Sequence, residues 1–139
     1  MKVARGLLKV EILEFMGARY FFKQKEGTGM LVNVRWNKET QILLLSGRFD
    51  KAARVPLETA LADGEGHPRN KVVLDFSNVS SMDSAGIGKV LLLYHSLRKK
   101  GVALTVMNPR PLIEELLHFV NFATFIPILH HHPDVRSVA

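Results

Sequence analysis

Met82-Asp83-Ser84-Ala85-Gly86-Ile87-Gly88 is the stretch on which the reading of this chain turns. It stands between a compact apolar run, Val72-Val73-Leu74, and a long amphipathic run from Ile87 to Leu97. The arrangement puts a carboxylate and a single hydroxyl where a strand passes through a loop into a helix. A helix N-terminus exposes unpaired backbone N–H groups and the positive end of the macrodipole. A serine there can cap the helix or carry a phosphate, and which of these it does decides most of the function.

Outward from the motif, Ile87, Val90, Leu91, Tyr94 and Leu97 approach the i, i+3, i+4, i+7 pattern of an amphipathic helix. Arg98-Lys99-Lys100 lies in its last turn, favourable to the dipole, and Gly101 follows as the C-cap. On the other side, Lys71 to Phe76 predicts a buried strand and Ser77 to Ser81 a loop. Further upstream, Leu31 to Trp36 and Gln41 to Ser46 read as a hairpin around the polar turn Asn37-Lys38-Glu39-Thr40. Gly47-Arg48-Phe49-Asp50 reads as a loop. Val55 to Leu61 has helical spacing and ends at the turn residues Asp63 to Pro68.

Downstream, Val102, Leu104 and Val106 predict another strand. Asn108-Pro109-Arg110-Pro111 turns into a helix with Leu112, Ile113, Leu116, Leu117 and Val120 on one face. Phe125-Ile126-Pro127-Ile128 reads as a last strand at an edge, where the missing proline N–H matters least. Leu129 to Ala139 has room for a short final helix. Strands separated by helices call for right-handed crossovers and a largely parallel sheet. The expected fold is α/β: about five mostly parallel strands, with three to four helices packed on them, over residues 30–139.

Residues 1–29 fit neither a helical nor an alternating template, and Lys23 to Gly29 has the composition of a linker. They are expected to be an N-terminal appendage, flexible or non-native, ahead of a domain at 30–139. The net charge of +6 divides into +3 for residues 1–29 and +3 for the rest, so the basic excess is concentrated in the short segment. A solvated tail is the simplest reading of it, and no direct nucleic-acid contact is expected. Lys9, Glu11 and Glu14 interrupt the stretch that would serve as the apolar region of a signal peptide. Apolar runs elsewhere are too short to insert in a membrane. A cytoplasmic location is therefore expected. The absence of cysteine excludes disulfides, thiol catalysis and thiolate metal sites.

Three elements in order carry a resemblance: Leu45-Ser46-Gly47-Arg48-Phe49-Asp50, Val73-Leu74-Asp75-Phe76, and Met82 to Gly88. Together they resemble a STAS domain, the family of the anti-sigma factor antagonists and of the cytoplasmic domains of sulfate transporters. The placement of Asn108-Pro109 and of Phe125 to Ile128 is similar too. The resemblance implies a protein that binds an anti-sigma factor, itself a serine kinase, and so releases a sigma factor. It implies that the kinase ends binding by phosphorylating the serine after the motif aspartate, and that a serine phosphatase restores it. Carried onto this chain, the acceptor is Ser84 and the neighbouring acid is Asp83. Ala85 stands where many members have a second hydroxyl residue. The partner-binding residues so implied are Asp50, Met82, Asp83, Ser84, Ala85, Gly86 and Ile87. A second branch of the same family, STAS subunits of lipid-transport ATP-binding-cassette assemblies, also shows Asp-Ser-Ala-Gly here and docks on an ATPase subunit.

Simpler readings stand beside these. Ser84, Asp83 and Asp50 all suit helix capping, worth about 1 kcal/mol each. Gly86 and Gly88 suit close packing at the turn, and their spacing matches neither a dinucleotide fingerprint nor a P-loop. His130-His131-His132 points in three directions, with only Asp134 nearby, so no metal site is assigned. No catalytic residues and no cofactor are assigned, and the chain is read as a binding protein. The edge from Leu31 to Trp36 is long enough to pair with another chain, including a second copy.

Overall fold

Alternating apolar residues set the centre of the sheet. In the computed structural model, which describes residues 10–15, 18–23, 30–64 and 66–130, strand β3 (Met30–Asn37) buries Met30, Val32 and Val34. It turns into β4 (Thr40–Phe49), which buries Leu43, Leu45 and Phe49 on the same side. β5 (Lys71–Met82) and β6 (Ala103–Met107) continue the sheet, and β7 (Ile128–Leu129) closes it. Helices α1 (Arg54–Asp63), α2 (Ser84–Lys99) and α3 (Pro111–Phe119) make the three crossovers between parallel neighbours. Leu57, Val90 and Leu117, one from each helix, join Val32, Leu45, Leu74 and Val106 in one core cluster. The other side of the sheet holds a smaller cluster of Ile42, Val73 and Met107.

From β3 to β7 the sheet has five strands and only its first pair is antiparallel, as the composition of the segments implied. Two more strands extend it. β1 (Val10–Phe15) and β2 (Ala18–Lys23) form an antiparallel hairpin, and β2 pairs with β3 from Leu31 to Val34. The edge read as open to a second chain is thus occupied there by β2. The sheet order follows the chain, β1 to β7. Among the described residues, no helix is long and apolar enough to cross a membrane.

Three segments differ from the sequence reading. Gly47 to Phe49 is strand rather than loop, and so is Ser77 to Met82. These stretches pair with one another through register shifts beside Leu44 and Gly47. A glycine at φ 115 and a run of serines look like loop, but a bulged parallel ladder accepts both. Phe125 to Ile128 is mostly not strand: a 3-10 turn at Phe122–Thr124 uses up the approach, and only Ile128–Leu129 pairs. The final helix read beyond Leu129 lies outside the described residues.

Gln41 fastens α1 to the sheet. It is fully buried, and its amide donates to the Ala60 carbonyl at 3.1 Å while its Oε1 accepts from Arg69 at 2.7 Å. Both ends of the amide are satisfied, which burial requires. The β3–β4 turn stores strain instead, because Lys38 sits at φ 57. A left-handed L-residue costs roughly 1–2 kcal/mol, part of which glycine's greater unfolded-state freedom cancels. Lys38→Gly should therefore raise stability by about 0.5–1 kcal/mol. Thermal melts check this, and a lower melting temperature would contradict it.

At the far edge, Glu114 on α3 reaches His130, just after β7, at 3.0 Å and His118 at 3.4 Å. The His130 hydrogen bond is the largest influence and holds the Glu114 carboxyl below its ordinary 4.5; burial opposes it, and the His118 hydrogen bond adds a smaller lowering. A depressed carboxyl contributes its stabilisation above the ordinary value and loses it as pH falls through the lowered one. Glu114→Gln should therefore cost a little stability at neutral pH and progressively less as pH falls through the carboxylate range, so that melts of the variant show a flatter acid limb; the effect is small because both histidines are exposed.

Candidate functional site at the start of the second helix

Parallel pairing brings the two motif loops together. Phe49 is in register with Met82, so β4 and β5 end side by side and Asp50 and Asp83 follow them at the same edge of the sheet. The Asp83 N–H donates to the Phe49 carbonyl at 3.4 Å and ties the two exits. In open α/β sheets this edge, beyond the carboxyl ends of the strands, is where ligands and partners are met.

Each aspartate then starts a helical turn. Asp50 is extended, and its Oδ1 accepts from the Ala52 N–H at 2.8 Å, capping the 3-10 turn Lys51–Ala53 that leads into α1. Asp83 is likewise extended, and its Oδ1 accepts from the Gly86 N–H at 2.9 Å. The N-cap of α2 is therefore Asp83, and the capping role considered for Ser84 falls to its neighbour. Ser84 is the first helical residue, exposed, and among the described residues its hydroxyl has no hydrogen-bond partner. The Gly86 N–H, one of the donors that a helix start offers to an anion, is already taken by Asp83.

Gly86 has a steric role as well. A Cβ on it would lie 2.3 Å from the Phe49 carbonyl oxygen and 2.8 Å from the Phe49 ring. Only glycine lets the first turn of α2 sit against the end of β4. Gly88 meets no such neighbour within 4 Å. Of the two glycines, only Gly86 is held by packing. The Phe49 ring beneath stacks on Phe76 with centroids 5.5 Å apart, so the site rests on the aromatic part of the core.

The seven residues singled out from sequence thus occupy one place but not one level. Asp83, Ser84 and Ala85 are exposed, Asp50 and Met82 half-buried, Gly86 and Ile87 buried. The first three and, at the margin, Asp50 present side-chain surface to the solvent. Chemically the patch holds two carboxylates and one accessible hydroxyl. Sequence reading did not single out Phe49 as part of the site. The three-residue gap between the Asp50 position and the buried strand pattern was its signal, obscured because Gly47 suggested a loop. Tyr94 is half-buried on α2, with Arg98 donating to its hydroxyl at 3.1 Å, and His95 is exposed. Of the three histidines, His130 is engaged by Glu114, whereas His131, His132 and Asp134 lie outside the described residues.

The profile of the Mlab STAS domain matches residues 32–129. An anti-sigma factor antagonist from Mycobacterium paratuberculosis has the same fold, with a TM-score of 0.66 at 19% identity over 80% of this chain and 94% of that one. The anti-sigma factor antagonist SpoIIAA in its unphosphorylated form gives 0.55 at 22% identity, covering 70% of this chain and 86% of that one. The murine Slc26a9 anion transporter gives 0.54 at 18% identity over 61% of this chain, which is 14% of the transporter chain. No curated protein matches the sequence. The structural likenesses are likenesses of fold, but the profile runs from β3 to β7 across the motif and both strands that position it, and the chain belongs to the STAS domain family.

Proposed function

We propose that this protein is an anti-sigma factor antagonist that binds a serine-kinase anti-sigma factor through the start of α2 and is switched off by phosphorylation of Ser84. The observation that carries the reading is the division of labour between Asp83 and Ser84. Asp83 caps the helix, so the Ser84 hydroxyl is exposed and its modification leaves the cap in place. A phosphate brings about −1.5 to −2 charges. It would arrive beside Asp83, on a rim that also holds Asp50. The switch works on the docked surface rather than on the fold, and a phosphatase reverses it. The protein acts in the cytoplasm as a binding module, without cofactor, catalysis or direct nucleic-acid contact.

Incubation with a candidate kinase and ATP, followed by mass-spectrometric mapping, tests the assignment. Phosphate on Ser84 is expected. Phosphate at another residue, or none with a kinase shown to bind, would defeat it. We also propose that residues 30–139 form the binding domain and that residues 1–29 are an addition to it. Limited proteolysis should cut before Met30 first. Equal protection of residues 1–29 would sink that division.

A second reading is a STAS subunit that docks on the ATPase of a lipid-transport assembly. Ala85, which leaves the motif one hydroxyl, and the Mlab description of the matching profile favour it. The same surface would be used, but Ser84 would stay unmodified. Stable binding to a transporter ATPase with no phosphate on Ser84 separates the two.

A further inference from the structure

Gly88 has no explanation in the fold. It lies inside α2, where glycine is less stable than alanine because it has more backbone freedom to lose. Its backbone does not call for glycine: the left-handed glycines among the described residues are Gly47, Gly66 and Gly101. Packing does not call for it either, since a Cβ at 88 would meet nothing within 4 Å among the described residues. A helix interior that breaks a local rule without a compensating contact marks a functional position.

Side chains on a helix lean toward its N-terminus, over the turn before their own Cα. A side chain at 88 would therefore cover the turn that carries Ser84, four residues and about 6 Å earlier along the axis. With glycine there, that side of Ser84 is bare. The other neighbours on α2 leave it bare too. The Asp83 carboxylate is turned back onto the Gly86 N–H, Ala85 offers only a methyl group, Ile87 is buried, and Lys89 is paired with Glu58 on α1.

The start of α2 is also fixed. Asp83 caps it and donates to the Phe49 carbonyl, and Gly86 sits against Phe49. Ser84 is thus presented on a rigid helix, not on an extended peptide that can be drawn into a cleft. We infer that Gly88 controls access to the switch: it keeps the helix surface beside Ser84 empty, so that a kinase and its ATP reach the hydroxyl. This rests on the reading of Ser84 as the phosphate acceptor. In the transfer, Ser84 Oγ forms a bond to the γ-phosphorus of ATP. The bond from that phosphorus to the bridging oxygen breaks, ADP leaves, and the hydroxyl proton passes to a base on the kinase. Attacking and leaving oxygens stand roughly in line, so the outer side of the hydroxyl must be open. A long side chain at 88 stands in that space.

The test uses the full chain with ATP and a kinase that modifies Ser84 in the parent. Gly88→Gln is expected to lower kcat/KM for phosphorylation about tenfold or more, and Gly88→Ala by less. Ser96→Gln, at an exposed position further along the same helix, should not change it. Both Gly88 variants should melt at or above the parent temperature, because alanine and glutamine are better helix formers, which separates blocked access from misfolding. A second arm needs no kinase. The chain has no cysteine, so Ser84→Cys supplies a single thiol. Adding Gly88→Gln should slow its reaction with a bulky maleimide several-fold. The inference is overturned if Gly88→Gln is phosphorylated as fast as the parent, or if the maleimide reacts equally fast in both backgrounds. A parent chain that binds the kinase and takes no phosphate on Ser84 is a different failure: it removes the acceptor reading, and the inference with it.

Discussion

Gly86→Ala is expected to destabilise the protein by roughly 3 kcal/mol or more, at the upper end of overpacking costs. The added methyl would stand 2.3 Å from a carbonyl oxygen of β4, and a backbone atom cannot rotate out of the way. Either α2 or the end of β4 must move, and both are held by the Asp83 to Phe49 bond and by the parallel ladder. Gly88→Ala, two residues on, is the internal control. It meets nothing within 4 Å, and alanine is the better helix former by up to about 1 kcal/mol, so that variant should be as stable as the parent or more so. Denaturant unfolding of the pair measures the difference directly. Trimming the ring with Phe49→Ala should not rescue Gly86→Ala, because the shortest contact is to the main chain. Near-parental stability of Gly86→Ala would show that the helix start is not fixed against β4.

On the proposed function, Ser84→Asp is expected to weaken binding of an anti-sigma kinase by about tenfold to several hundredfold, with Ser84→Ala close to the parent. The argument rests on what already surrounds position 84. Asp83 is adjacent and Asp50 lies at the neighbouring strand exit, so a further carboxylate concentrates like charge on the rim that a partner must cover. Like charges forced together across an interface cost several kcal/mol, and the effect should shrink with added salt. Because Asp83 keeps the cap in every variant, melting temperatures should stay within a few degrees of one another. Titration calorimetry with the kinase decides the matter. Equal affinity for the aspartate and alanine variants would remove the charge mechanism, and a large loss with alanine would make the hydroxyl itself a contact.

The order of strand, motif and amphipathic helix was legible because each has its own period, and Val72 to Leu74 and Ile87 to Leu97 fall where their patterns put them. What was not legible depended on partners distant in sequence. Ser77 to Ser81 has no apolar pattern, and it is strand only because Ser46 to Phe49 lies alongside. Gly47 marked a turn by its identity, but here its positive φ serves a bulge within a strand. The hairpin of β1 and β2 left no clean alternation to read. At the site, composition located the cap to within one residue. Choosing between Asp83 and Ser84 required the side-chain geometry, since either residue type can cap.

The strand order has a consequence for how the molecule comes to be folded. Each strand lies between its immediate predecessor and successor in the chain, so no gap is left for a later segment to enter. Every ladder can close over a single connection, and loop-closure entropy is met in small steps. The growing chain can therefore lay down the sheet from one side to the other as it leaves the ribosome. The surface around Asp83 takes shape once β5 and the first turns of α2 have settled on β4, before β7 arrives at the far edge.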